Sequence, residues 1–300
     1  MVARAGSIGG HEMSSLSQIT VHTPRRSGHS RSPLGILPTV VTHRRLILAL
    51  TRRDLAERFR GTLLGTLWFV LGPAVLMGVY TLTFSVVFRA RMPYADPASD
   101  GHGLFGVFLF AGLVPFTVFS DVVARSPSLI TSRANYVTRV VFPIEVLSLV
   151  AVLSALCGGL LSSAVLVVAL AVLGGGVPVT ALAYPLCLGL MVPLLIGLSW
   201  TLAAIGTYVR DLGQVTPLVL SVCLFVSPIF TTIDRFPPGI QPWLYLNPVT
   251  VPVDLAQKLL FVLTWPGFLV VGAYAAAGLA VMAAGWMCFQ TLRRGFADVL

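Results

Sequence analysis

Few residues in this 300-residue chain can do chemistry, and their spacing assembles no reaction centre. The five histidines, His11, His22, His29, His43 and His102, lie outside every long apolar run. Cys157, Cys187, Cys223 and Cys288 each sit inside an apolar stretch with no C-x-x-C spacing, so they read as small apolar fillers and suggest neither a disulfide framework nor a zinc site. Lys258 is the only lysine and stands in Ala-Gln-Lys-Leu without a glycine beside it. No G-x-x-x-x-G-K-S/T loop exists to cradle a nucleotide phosphate. Two acids touch the apolar runs. Asp121 lies near the end of one, and Glu145 follows Pro143 at the start of another, where a carboxylate meets a positive helix N-terminus. Ion-coupled carriers bury ionisable groups at mid-membrane, and none is that deep here, so transport would draw its energy from a different chain.

What remains is charge. The chain carries 20 Lys and Arg against 11 Asp and Glu, a net charge of +9, and 19 of the 20 are arginine. Ten of them fall in the first 60 residues, and the others stand at the ends of apolar runs. This distribution draws a basic cytoplasmic face on a membrane protein; it is not a basic groove, and nucleic acid is not an expected partner. Only 10% of the residues are charged, against about 25% in soluble domains, and 56% are hydrophobic with a mean hydropathy of +0.89. A soluble fold has too little interior for so many apolar side chains, so membrane lipid surrounds most of the chain.

The elements that position these charges follow from the apolar pattern. Residues 1–38, rich in Ser, Gly, Arg and Pro, read as a disordered basic cytoplasmic tail. No apolar core precedes Thr62, so no signal peptide is expected, and Met13 is an alternative start. Residues 39–61 form an amphipathic interface helix, with Leu48, Leu55 and Phe59 on one face, Arg45, Arg52, Arg53 and Arg60 toward another, and Asp54 paired with Arg58 at i, i+4. Uncharged runs then predict an all-α, six-span domain over 62–300, with spans at 62–88, 103–120, 144–173, 179–207, 212–233 and 266–290. Gly174-Gly175-Gly176-Val177-Pro178 separates the third from the fourth. Setting aside Arg4, Arg25, Arg26 and Arg31 in the tail, an N-terminus inside the cell leaves 12 basic residues on the cytoplasmic side and 4 outside. Both termini are therefore expected to be cytoplasmic.

Four ordered fragments carry a family resemblance. Arg53-Asp54-Leu55, Arg58, Arg60-Gly61, Leu64-Gly65, Leu67-Trp68 and Pro73 resemble the approach to the first span in type 2 ATP-binding-cassette (ABC) permeases that export O-antigen, capsule and teichoic acid. Arg139-Val140-Val141-Phe142-Pro143-Ile144-Glu145 is similar to that family's basic-x-x-Phe-Pro-x-Glu at span three. Tyr208-Val209-Arg210-Asp211 resembles its short cytoplasmic turn, and Ser227-Pro228-Ile229 with Asn247-Pro248 resembles its outer region. Phe59 and Thr62 depart from the more common Tyr and Ser, and the tail has no counterpart.

The resemblance implies roles for these segments. Arg125, Arg133 and Arg139 lie in a stretch free of acids that would be the coupling helix docking on a separate ATPase, and Arg210-Asp211 would make a second contact. Ser126-Pro127 suits the N-cap and first position of that helix. Ser227, Pro228, Pro237, Asn247 and Pro248 would belong to an external gate, with residues 253–263 re-entering the membrane; the bland reading of that stretch is an amphipathic surface helix. Phe69, Tyr80 and Phe84 fall within about 60° on span one, and Phe105, Phe108, Phe116 and Phe119 within about 80° on span two, where aromatic faces could grip sugar rings. Small residues four apart, Gly158 with Ser162, Gly159 with Ser163, and the column Gly272, Ala276, Ala280 and Ala284, mark expected helix contacts.

By resemblance the chain is then the permease of an ATP-driven exporter, a homodimer working with two ATPase copies that bind the ATP and magnesium, and its cargo is a lipid-linked polysaccharide. It would reside in the bacterial cytoplasmic membrane and hold no catalytic residue, cofactor or metal of its own. Two alternatives stand beside this reading: an exporter of drugs or small lipophiles, and an integral-membrane lipid-modifying enzyme. The enzyme would need His, Asp or Glu converging at one membrane face, and the sequence supplies no such cluster.

Overall fold

The structure is a computed structural model that describes residues 36–58, 60, 64–90, 93–94, 104–133, 143–174, 176–264 and 267–296. Among these residues every regular element is helical. The chain begins with α1 (Ile36–Thr42) and α2 (Arg44–Arg58), and then enters α3 (Trp68–Tyr80), which continues through a wider π turn at Thr81–Val87. There follow α4 (Phe105–Arg125), α5 (Val146–Leu173), α6 (Tyr184–Tyr208), α7 (Leu212–Val226), the short α8 (Gln241–Leu244), α9 (Thr250–Gln257) with a π turn at Lys258–Val262, and α10 (Phe268–Leu292).

Four helical stretches among the described residues are long and apolar enough to cross a membrane: Phe105–Ser128, Val146–Leu173, Val179–Tyr208 and Phe268–Gly295. The shortest has 24 residues, about 36 Å at the usual helical rise, against a hydrocarbon core of about 30 Å. The runs expected at 62–88 and 212–233 yield shorter apolar helices, Val70–Ser85 and Leu212–Val226. The tight turn at Gly65–Leu67 trims the first, and Ser227, in extended conformation before Pro228, stops the second.

α4 is the axis of the bundle. It is apolar all round, and nearly every residue from Phe105 to Val123 is buried against α3, α5, α6, α7 and α9. The expected contact between Gly159 and Ser163 lies on this core: both are buried, and a side chain at Gly159 would overlap the Val118 side chain of α4. On α10 the expected column is on the wrong face. Gly272, Ala276, Ala280 and Ala284 are exposed, whereas Gly278 and Gly285 lie against α6. A Cβ on Gly285 would overlap the Gly197 carbonyl, and one on Gly197 the Val281 carbonyl. Backbone contact of this kind requires glycine on both helices, which a repeat of merely small residues does not reveal.

α2 turns a polar-edged stripe to the protein and leaves its leucine face outward. Leu48 is exposed, and the stripe turned to the protein is Ile47, Thr51 and Asp54, with Thr51 Oγ1 donating to the Ile47 carbonyl. The helix packs on α5, so its protein face and its apolar outer face are different sides of one cylinder.

Candidate functional site

Asp54 organises the basic end of the bundle. Arg133 Nη2 donates to its Oδ1 at 3.0 Å and Arg125 Nη1 to its Oδ2 at 3.2 Å, with Arg58 Nε at 3.8 Å. Asp121 completes the cluster, accepting Arg58 at 2.7 Å and Arg125 at 3.1 Å through Oδ2. Arg125 also donates to the Ala151 carbonyl on α5. Burial pushes the Asp54 carboxyl up, but the Ser154 hydroxyl and the guanidinium groups of Arg125 and Arg133 outweigh it and hold the group below its ordinary value. The arginine side chains are roughly a quarter to a third exposed. Solvent therefore screens each pair to the order of 1 kcal/mol, and the value of the network is chiefly geometric. It ties α2 to the end of α4 and to the turn beyond it. Arg53 turns away to pair with Glu57 at 2.6 Å, and Arg60 is exposed; Gly61 lies outside the described residues.

The turn after α4 is tighter than a helix with its own cap. Residues Ser126–Ser128 form a 3-10 turn running straight on from α4, followed by another at Thr131–Arg133. Ser126 is not an N-cap. Its hydroxyl meets the Val122 carbonyl at 2.6 Å and Ser199 Oγ at 2.9 Å, facing back into the bundle. Pro127 lies directly on α6 at Gly206, where a Cβ would overlap the proline carbonyl. Gly206 stands one turn before Arg210 and Asp211, both exposed, so the two segments expected to meet a partner share one end of the bundle. Arg139 lies outside the described residues.

A second tie closes the same end. Glu145, 1% exposed, accepts Arg293 Nη1 at 3.0 Å through Oε2, and its carbonyl accepts the Trp200 indole at 3.0 Å. Trp200 packs edge-on against Trp286, centroids 5.0 Å apart, and Tyr208 donates to the Leu292 carbonyl. The helix-start role expected of Glu145 is thus joined by a stronger one, since its side chain makes no cap hydrogen bond and clasps the end of α10. A carboxylate inside an apolar run demands a cation, and the Arg293-Arg294 pair was the available signal for it.

At the opposite end the two outer fragments are joined directly. Asn247 Nδ2 donates to Ser227 Oγ and to the Cys223 carbonyl, both at 2.9 Å, capping the broken end of α7. Pro228 is buried, Pro237 is exposed, and the Pro248 carbonyl accepts Tyr274 Oη at 2.9 Å. α9 is buried on most sides against α4 and α6, unlike an amphipathic surface helix. Its π turn ends at Leu263 in a left-handed conformation (φ 57°), which costs a leucine on the order of 1 kcal/mol and turns the chain toward α10.

Tyr80, Phe84, Phe105 and Phe108 form one chain of rings with centroid spacings of 5.8 to 6.4 Å, extended by Phe230 and Phe261. Phe108 is fully buried, and Phe105, Phe116 and Phe119 are buried as well, so within one protomer their faces meet packing neighbours. Phe116 stands about 12 Å farther along α4 than Phe108. The side chain of Phe69 lies outside those described, and Trp68 opens α3 partly exposed. Among the described residues no group of His, Cys, Asp and Glu could hold a metal ion.

Residues 45–261 match the family described as ABC-2 type transporter. The chain is 29% identical over 260 residues to the O-antigen export system permease protein RfbA of Myxococcus xanthus, covering 85% of this chain and 95% of that protein. It is 24% identical over 263 residues to the O-antigen export system permease protein RfbA of Klebsiella pneumoniae, with the same coverage. To the polysialic acid transport protein KpsM of Escherichia coli it is 27% identical over 217 residues, covering 70% of this chain and 79% of that one.

Proposed function

This chain belongs to the ABC-2 type transporter family, and we propose that it is the membrane-spanning permease subunit of an ATP-driven polysaccharide exporter. The observation that carries the reading is its alignment with O-antigen export permeases over 85% of its length. The cargo is a lipid-linked glycan moved outward from the cytoplasmic leaflet of a bacterial inner membrane. ATP and magnesium belong to a partner ATPase present in two copies, and the permease acts as a homodimer. The exposed apolar faces of α3 and α7, including Leu71, Val75, Leu218 and Phe225, are suited to such a partner copy.

In this reading residues 1–38 are a cytoplasmic tail, 39–61 lie at the membrane interface, and 62–300 cross the membrane six times with both termini inside. α3 and α7 are the two short spans, and α9 with its π turn is the re-entrant element of the external gate. The 126–133 turns and Arg210-Asp211 meet the ATPase; Arg125 and Arg133, held by Asp54, transmit the movement to α2. Tyr80 and Phe84, half-buried beside the gate, are the rings best placed to touch a sugar.

Deletion of the chain in its native cell, with the glycan followed inside and at the surface, tests the function. The expected result is a lipid-linked polymer that accumulates internally and is lost from the surface, with an ATPase co-purifying with the tagged wild-type protein. Unchanged surface polymer would refute the proposal.

A further inference from the structure

Beside the ion-pair cluster a cavity of about 230 Å³ opens between α2, α3, α4 and α5. Arg58, Trp68, Thr117, Asp121, Gly158 and Ser162 line it. Its chemistry has two sides. On one, the cluster's three arginines (Arg58, Arg125 and Arg133) face two aspartates (Asp54 and Asp121), leaving one surplus positive charge. Arg58 has five N–H donors; among the described residues Nη2 donates to Asp121 at 2.7 Å and Nε faces Asp54 at 3.8 Å, which leaves donors for a further acceptor. On the other side are acceptors. The hydroxyl protons of Thr117 and Ser162 go to the Val114 and Gly158 carbonyls, so their oxygens, like the Asp121 carboxylate, are left to receive hydrogen bonds. Trp68 supplies an amphipathic wall of the kind found at the lipid headgroup level. Gly158 leaves the floor open, since a Cβ added there would meet nothing within 4 Å.

A cation next to several acceptors and an indole suits one chemical class, a phosphate ester bearing free hydroxyls. We infer that this cavity binds the hydroxyl-bearing phosphate headgroup of a membrane lipid, the phosphate on Arg58 and the hydroxyls on Asp121, Thr117 and Ser162. The placement at the headgroup level rests on the reading of α2 as an interface helix. Two sources share this chemistry: a polyol phospholipid of the bilayer, and the sugar-phosphate end of a polyprenyl-linked glycan.

The test is lipid retention by the full-length purified permease, measured by native mass spectrometry with phosphatidylglycerol, phosphatidylethanolamine and a polyprenyl-diphosphate-linked N-acetylglucosamine as separate probes. Wild type is expected to retain phosphatidylglycerol or the polyprenyl glycan about tenfold better than Arg58→Gln, since a charge-assisted contact is lost. Gly158→Leu, whose Cβ meets nothing within 4 Å and whose remaining atoms enter the cavity, is expected to lose the same lipid with an unchanged unfolding temperature. The lipid that is retained identifies the source. Equal retention by wild type and Gly158→Leu, or equal retention of phosphatidylethanolamine and the hydroxyl-bearing probes by wild type, would overturn the inference. This readout does not depend on polymer export, so failure of the exporter reading in the deletion strain is seen separately.

Discussion

Asp54 and Arg125 are 71 residues apart in the chain and meet at 3.2 Å, and through this contact the helix before the first span is fastened to the end of the central one. Arg133, 79 residues away, takes the other carboxylate oxygen. One side chain therefore holds two positions of the segment expected to receive movement from an ATPase.

Replacing Asp54 by Asn keeps its shape and removes the charge that both arginines meet. Each of the two pairs is worth about 1 kcal/mol after solvent screening, so with both charges unmet polymer export is expected to fall about tenfold while the amount of protein in the membrane stays near the wild-type level. The exchange Asp54→Arg with Arg125→Asp should recover part of the loss. Full export by Asp54→Asn would remove the link from the mechanism.

The same contact sets a pH limit. The Asp54 carboxyl is held below its usual value, so its folded form binds a proton less readily than its unfolded form. Its contribution is complete above the unfolded value of about 3.9 and is lost as pH falls through the lower folded value. The distance between spin labels placed on α2 and on the 126–133 turns should be constant from pH 8 to about 5 and lengthen only below about 4. A lengthening centred near pH 6 would point to a different group.

Arg293→Ala takes the guanidinium from a carboxylate that is 1% exposed. Arg293 is itself 24% exposed, so the cost stays below the roughly 3–5 kcal/mol of a fully buried pair broken on one side, and the unfolding temperature of the purified protein should drop accordingly. Adding Glu145→Gln in that background should restore much of it, because a neutral amide is cheaper to bury. A double variant no better than Arg293→Ala would show that the arginine acts elsewhere.

Two glycines on α6, eight residues apart, should answer differently to one methyl group. At Gly197 it would overlap the Val281 backbone, whereas at Gly189 it meets nothing within 4 Å. Gly197→Ala is expected to destabilise by about 1–3 kcal/mol, and Gly189→Ala to be neutral or stabilising by up to about 1 kcal/mol. Similar unfolding temperatures for the two would contradict the close approach of α6 and α10.

Much of this architecture is local and therefore legible from residue order. The four long apolar helices, the Gly174–Pro178 break and the basic end all follow from uninterrupted hydropathy and from where arginine interrupts it. The helices at Val70–Ser85 and Leu212–Val226 are shorter than their apolar runs, because Gly65 and Ser227-Pro228 change the backbone inside stretches that remain apolar. Of the site, Asp54, Arg58, Arg125, Arg133 and Glu145 are identifiable as residues, and the expected Asp54–Arg58 pair is present at 3.8 Å; the partners far along the chain are not legible. Asp54 was expected to pair within its own helix, and its main contacts lie on another.

The physical reason is the solvent. In water a helix advertises its buried side by polarity, but in lipid the protein-facing and lipid-facing sides are both apolar, so α5, α6 and α10 carry almost no contrast around their circumference. Hydropathy and length alone established that this chain lives in a membrane and where its helices run. Which side of each helix faces which neighbour was settled by long-range fits, the bare backbones of Gly197 and Gly285 and the reach of Asp54 to Arg125 and of Glu145 to Arg293, because steric overlap and charge pairing exist only once the chain is folded.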